Sequence, residues 1–215
     1  AEDLYWAIAT KMASLAKGNE EMEPILKDLE RDLSDTYFCN FSVFQSLPDS
    51  WALEQVFPVM PIMRLDENPD RKATLVDLTC DSDGHISQFF DTDSGQTQGF
   101  LQVHPFEKGK PYYMAAFLTG AYQEILGDLH NLFGDTDAVY VSVNPNGYSI
   151  DHVVEGDSVT DVLAFVEYNK PELLERVRRA TETSIFKGSL SPSEARLLLK
   201  HYEQGLAGYT YLFEA

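Results

Sequence analysis

The sequence predicts an α+β fold in which helical segments flank a central β region on both sides. Three observations carry this. Leu4, Ile8, Met12 and Leu15 recur at a helical period near the amino end. Between residues 37 and 156, short aromatic and β-branched runs alternate with turns rich in Pro, Gly and Asp. From Asp157 onward the helical period returns and ends in a helix with a well-marked start. The expected division is a helical segment at 1–36, a β domain at 37–156 with one helix at 121–134, and a helical segment at 157–215.

Gly18-Asn19 stops the first helix. A second fits Glu21 to Leu33, with Ile25, Leu26 and Leu29 on one side and Pro24 tolerated in its first turn. Tyr37–Phe44 suits a strand, and Ser46–Trp51 with the prolines at 58, 61 and 69 reads as loops and short extended pieces. Ala73–Cys80 is expected as a strand that runs into the turn Cys80-Asp81-Ser82-Asp83-Gly84. Further strands are expected near 85–90, 100–104 and 112–119.

Gly120 introduces a helix with Tyr122, Ile125, Leu126, Leu129 and Phe133 in one stripe, ended by Gly134-Asp135. Gly127 weakens it by ~1 kcal/mol relative to Ala, so packing must sustain it. Asn144-Pro145-Asn146-Gly147 joins Ala138–Val143 to Tyr148–Val154 as a hairpin. Two short stripes follow: Val159, Val162, Leu163 and Val166, then Leu173, Leu174 and Val177. In the last helix Ser191 is the N-cap, Pro192 the first helical position and Glu194 the partner in a capping box. Ala195, Leu198, Leu199, Tyr202 and Leu206 line its inner face.

A net charge of −19 argues against nucleic acid and anionic membranes as partners, because both are bound through basic patches. Such acidity attracts cationic substrates, and it also describes a merely solvated surface. No apolar run approaches the ~20 residues of a membrane-spanning helix. Cys39 and Cys80 form no framework and no CxxC motif, so a reducing, cytoplasmic setting is expected. The opening Ala-Glu-Asp-Leu-Tyr-Trp has no basic stretch and no apolar signal core. It also lacks an initiator Met and enters a helical pattern at once, so a longer polypeptide is expected.

No GxGxxG, P-loop, nucleophile elbow or HExxH motif is present. Asp81-Ser82-Asp83-Gly84 has the flavour of a calcium loop, but an EF-hand loop starting at Asp81 needs glycine where Ile86 stands. Asp91-Thr92-Asp93-Ser94-Gly95 fails in the same way, and both read as turn-forming acids. Glu124 and Asp128 share a helical face that His130 does not join, so a capping or interface role suits His130 better than a metal site. No metal ligand is expected.

Cys80 has two readings. On a pleated strand Val76, Leu78 and Cys80 share one face, which places the thiol at the inner rim of the sheet as a small buried residue. Alternatively Asp77, Asp81 and Asp83 raise its pKa and suit it to donate a proton rather than attack. Tyr122, at a strand-to-helix junction, either points its hydroxyl at a ligand or is the first member of the apolar stripe.

Four stretches, in order, carry a resemblance. They are Asn40-Phe41-Ser42-Val43-Phe44-Gln45-Ser46-Leu47-Pro48-Asp49-Ser50-Trp51, Leu75-Val76-Asp77-Leu78-Thr79-Cys80-Asp81-Ser82-Asp83-Gly84, the segment Gly120–Thr136, and Gly208-Tyr209-Thr210-Tyr211-Leu212. Together they resemble the carboxy-terminal portion of bacterial biosynthetic arginine decarboxylases, over essentially the whole chain. That family is similar in fold to alanine racemase and to the ornithine and diaminopimelate decarboxylases. The resemblance implies that residues 37–156 form a β-barrel or sandwich-like domain. It also implies that a pyridoxal-phosphate barrel with the Schiff-base lysine lies upstream, since no lysine here stands in that lysine's motif.

By the same resemblance, Cys80 donates a proton to the substrate α-carbon across a dimer interface. Asp81 faces the cationic tail of the substrate, and Tyr122 bonds the cofactor phosphate. The implied reaction converts L-arginine to agmatine and CO2 for putrescine and spermidine synthesis, in a homo-oligomer, with Mg2+ a further family cofactor. Ornithine decarboxylases carry an aspartate where this chain has Phe41, which leaves room for a longer tail. The alternatives are a non-catalytic decarboxylase-like interaction module, or a decarboxylase of lysine, ornithine or diaminopimelate. The fragment alone is expected to be inactive and to expose apolar surface.

Overall fold

The computed structural model describes residues 2–19, 22–91 and 94–212. Glu21 of the expected second helix, Thr92 and Asp93 of the second aspartate turn, and residues 213–215 of the expected terminal segment lie outside the described residues. The chain divides after Gly127 into two compact units.

In the first unit, helices α1 (Glu2–Ala16) and α2 (Glu23–Asp32) open the chain. The helical period of α1 was legible, but Ala9 and Ala16 are its buried residues, and Leu4, Ile8, Met12 and Leu15 are exposed. Strand β1 (Asp35–Phe38) runs parallel to β3 (Arg71–Val76), with Tyr37 opposite Leu75. The strand expected to reach Phe44 stops at Phe38, and two short helices follow, α3 (Val43–Ser46) and α4 (Pro48–Ala52). Ser42 caps α3 by accepting a hydrogen bond from the Gln45 amide at 3.3 Å, and Pro48 starts α4. Val43, Phe44 and Leu47, at helical spacing, are buried against Leu75, Phe89 and Val103.

Strand β3 is the hub of a four-stranded sheet: β4 (His85–Ile86) and β7 (Leu101–Val103) pair with it antiparallel. Two-stranded pairs join β2 (Val59–Pro61) to β8 (Met114–Ala116), and β5 (Phe89–Phe90) to β6 (Thr97–Gln98). The described strands therefore make small separate sheets and no closed barrel, which corrects the barrel-like expectation. Most of these strands have two or three residues. Prolines at 58, 61, 69 and 105 lack the N–H that a continuing ladder needs.

The helix expected from Gly120 to Phe133 is also cut short. Helix α5 covers only Tyr122–Ile125, and a 3-10 turn at His130–Leu132 follows, with Asn131 and Leu132 at φ of 56° and 62°. Past Leu126 the backbone runs so close to Gln45 that a Cβ on Gly127 would lie 2.6 Å from the Gln45 carbonyl oxygen. The close approach, rather than the helical stripe, fixes the path here.

The second unit holds the hairpin of β9 (Ala138–Asn144) and β10 (Gly147–Val154), with a register shift between Ile150 and His152. Helices α6 (Val159–Phe165), α7 (Lys170–Phe186) and α8 (Pro192–Leu206) follow. Capping boxes start α6, through Ser158 and Asp161, and α8, through Ser191 and Glu194 as expected. In α8, Ala195 and Leu206 are buried, while Leu198 stays exposed. The terminal segment is fastened within the unit. The Tyr211 hydroxyl donates to the Gly134 carbonyl at 2.9 Å, and the Gly134 amide donates to Thr210 Oγ1 at 3.0 Å. No described helix is long and apolar enough to cross a membrane.

Replacing Ser191 by Ala removes the side-chain half of the α8 capping box, leaving the Ser191 amide bonded to Glu194, and is expected to cost about 1 kcal/mol, read as a lower urea midpoint. Both faces of the hairpin are exposed, including Val141, Val143, Tyr148 and Ile150, as is the α1 stripe. The isolated chain is therefore expected to self-associate in light scattering, and a clean monomer at micromolar concentration contradicts this.

Candidate functional site

The pleat of β3 decides where the candidate residues fall. Ala73, Leu75 and Asp77 are the buried positions, at 0, 3 and 2% exposure. The inner face is thus the odd-numbered one, opposite to the expected set of Val76, Leu78 and Cys80. The strand ends at Val76, and residues 77–84 form a loop closed by Asp77 N–H to the Gly84 carbonyl at 2.8 Å. The Leu78 amide donates to the Phe41 carbonyl at 3.1 Å. Cys80 sits beyond the strand, exposed on this loop, so the buried small-residue reading does not hold.

Asp81 is exposed beside it. One of its carboxylate oxygens accepts from the Asp83 amide at 2.9 Å, and its carbonyl accepts from the Gly84 amide at 3.1 Å. This is the aspartate turn that the composition indicated. The three acids near Cys80 do not act alike, because the Asp77 carboxylate points into the fold. Its Oδ2 accepts from the Val43 amide at 2.9 Å, and its Oδ1 accepts from the Thr79 amide at 2.8 Å and the Thr79 hydroxyl at 2.7 Å.

Tyr122 is the first residue of α5 and is 70% exposed, so it is not part of a buried stripe. Its neighbour Gln123 is buried instead. Gln123 Oε1 accepts from the Asp49 amide at 3.2 Å, and its Nε2 donates to the Asp49 carboxylate. One short segment, Val43 to Asp49, therefore holds the Cys80 loop through Asp77 and the Tyr122 turn through Gln123. Neither Asp77 nor Gln123 was singled out as a site residue from sequence. The available signal was an aspartate in phase with Ala73 and Leu75 on an otherwise apolar strand.

Cys39 provides a contrast to Cys80. It is half-buried, its amide donates to the Val76 carbonyl at 2.8 Å, and burial pushes its thiol pKa up to about 11. A polar cleft of about 260 Å³ opens beside the loop, walled by Trp51, Glu54, Asp83 and His85. Cys80, Asp81 and Tyr122 do not line it. They are surface groups of this chain. His130 lies in the 3-10 turn, and among the described residues no three His, Cys, Asp or Glu side chains gather as a metal-ligand set.

Residues 159–212 match the model for the arginine decarboxylase C-terminal helical extension. The biosynthetic arginine decarboxylase of Gloeobacter violaceus is 50% identical over 217 residues, covering 99% of this chain. The chain matches the carboxy-terminal portion of biosynthetic arginine decarboxylases. A second relative, from Bacteroides thetaiotaomicron, is 50% identical over 211 residues and 98% of the chain. In both comparisons the chain spans only 33% of the relative's own length. The crystal structure of the biosynthetic arginine decarboxylase from Campylobacter jejuni aligns with a TM-score of 0.72 at 34% identity, over 89% of this chain and 32% of that one.

Two classes of thiol are expected. Iodoacetamide at about pH 8 should modify Cys80 while Cys39 lags, and Cys80→Ser should remove the fast class. The fold holds the Cys39 proton to about pH 11, against an ordinary value of 9.0. Its contribution to stability is therefore complete below about pH 9 and is lost as pH rises towards 11. Urea midpoints across that window, compared with Cys39→Ala, check the sign.

Proposed function

We propose that this chain is the carboxy-terminal part of a pyridoxal-phosphate-dependent arginine decarboxylase, which converts L-arginine to agmatine and CO2 for polyamine synthesis. One observation carries the reading: 50% identity along 99% of the chain to a biosynthetic arginine decarboxylase of which it covers 33%. The remaining length of such an enzyme supplies the barrel, the Schiff-base lysine and the phosphate loop. The whole protein works as a homo-oligomer in the cytoplasm.

The residues present suit an assisting role toward the cofactor. Tyr122 offers an exposed phenol at a helix start, and Cys80 and Asp81 lie side by side on an exposed loop. Pyridoxal phosphate, when bound, supplies the electron sink that lets CO2 leave. Tyr122 would hold its phosphate through the phenol hydroxyl. Cys80 then gives its S–H proton to the substrate α-carbon and keeps the bond's electron pair as a thiolate, which regains a proton from solvent. Asp81 pairs with the guanidinium tail, and a charge-assisted contact of that kind contributes about 1.5–3 kcal/mol. Phe41 packs against the core and offers no carboxylate to a shorter amine, which favours arginine over ornithine. The described residues gather no ligand set for Mg2+, and no step is assigned to it.

In the full-length enzyme, Cys80→Ala is expected to lower kcat by about a hundredfold or more. Asp81→Asn is expected to raise KM for arginine by about tenfold, with kcat less affected. Assays with arginine, lysine, ornithine and diaminopimelate fix the substrate. An upstream sequence without a lysine-bearing barrel would turn the reading to a non-catalytic interaction module.

A further inference from the structure

We propose that Asp77 is the positioning residue that aims Cys80 and Asp81, and that both oxygens of its carboxylate are required as acceptors for this. The proposal rests on the role given to Cys80 above. It goes beyond that role by assigning a function to a buried group that touches neither substrate nor cofactor.

The carboxylate is 2% exposed, and a buried charge is costly unless hydrogen bonds replace its water. It meets that cost with donors from two separate places. Oδ2 takes the Val43 amide of the α3–α4 segment, while Oδ1 takes both the amide and the hydroxyl of Thr79, the residue just before Cys80. Its own amide closes the loop onto Gly84. The packing leaves no slack, because a Cβ on Gly84 would lie 2.3 Å from both Asp77 Oδ1 and Thr79 Oγ1. The Cys80 backbone is thereby fixed to the segment that also holds α5 and Tyr122 through Asp49 and Gln123.

Only an acceptor on both oxygens satisfies this geometry. Asparagine has nearly the same shape, but its NH2 group must face either the Val43 amide or the Thr79 pair, donor against donor. Asp77→Asn therefore breaks one arm without making a cavity. Thr79→Val is the milder lesion, removing the hydroxyl and leaving the Thr79 amide bond.

The test uses the full-length enzyme with its barrel, comparing Asp77→Asn, Thr79→Val and Cys80→Ala. Misplacing a reacting group by about 1 Å costs about a hundredfold. Asp77→Asn is expected to lower kcat by about that factor with KM for arginine within about twofold, and Thr79→Val by a smaller factor. Both should divert part of the product from agmatine to guanidinobutyraldehyde, with the amino group left on the cofactor, because the proton no longer reaches the α-carbon reliably. Amide hydrogen exchange should quicken at residues 78–84 and stay unchanged in α7 and α8. Normal kcat and clean agmatine in Asp77→Asn would overturn the proposal. So would a loss of activity matched by uniform unfolding in both variants, with no aldehyde and no local change in exchange. Unimpaired turnover in Cys80→Ala sinks the role of Cys80 itself, a result separable from the exchange signature at Asp77.

Discussion

A carboxylate that has lost its water must find donors, and at Asp77 that demand organises the middle of the first unit. Its oxygens draw in the start of α3 and the residue before Cys80 at once. The demand runs both ways, since an amide left unpaired in the interior costs about 1–3 kcal/mol. The loop cannot drift without stranding the carboxylate, and the carboxylate cannot keep its donors without the loop. Ser42, Gln45 and Gln123, also buried, extend the same polar seam along the α3–α4 segment. A loop held on such a seam has one low-energy path, whereas an apolar anchor would set only its depth.

The sequence revealed most where local rules act alone. The Asn144–Gly147 turn and the Ser191–Glu194 box need only their own neighbours, and both stand as read. Errors came where a distant partner decides. Alternation along 73–80 reads in the wrong phase because aspartate reads as an outward residue, and the Val43 amide that ties Asp77 inward lies 34 positions away. The stripe from Tyr122 to Phe133 has true helical spacing. Gln45, far off in sequence, sets the close passage at Gly127. The barrel-like expectation failed for a local reason that was visible: prolines punctuate the strands too often for a continuous ladder. Of the candidate site, the resemblance points to Cys80, Asp81 and Tyr122, and it does not point to Asp77 and Gln123, the buried groups behind them.

The apolar pattern of α1 and of the hairpin poses a different question. Leu4, Ile8, Met12 and Leu15 are spaced as a core-facing stripe and yet are exposed, and so are Val141, Val143, Tyr148 and Ile150. A pattern selected for burial, found bare, implies a surface that belongs to something else. The relatives, of whose length this chain spans only 33%, have the length to provide it. On the proposed reading, the exposure of Cys80, Asp81 and Tyr122 fits the same picture, since groups that complete a site on another surface must first stand clear of their own.

On the proposed reading, the two cysteines of this chain take opposite parts. Cys39 shows in this same fold what burial does to a thiol: desolvation raises its pKa to about 11. Cys80 is instead exposed on its loop, open to whatever surface meets it. An acid must keep its proton until the basic carbon forms, and a nucleophile must already have lost it. On the proposed reading the donor role needs a partner surface to deliver that carbon to the loop, so it is exercised only in the assembled protein. The isolated chain carries the thiol in water, where the reason for its chemistry is missing.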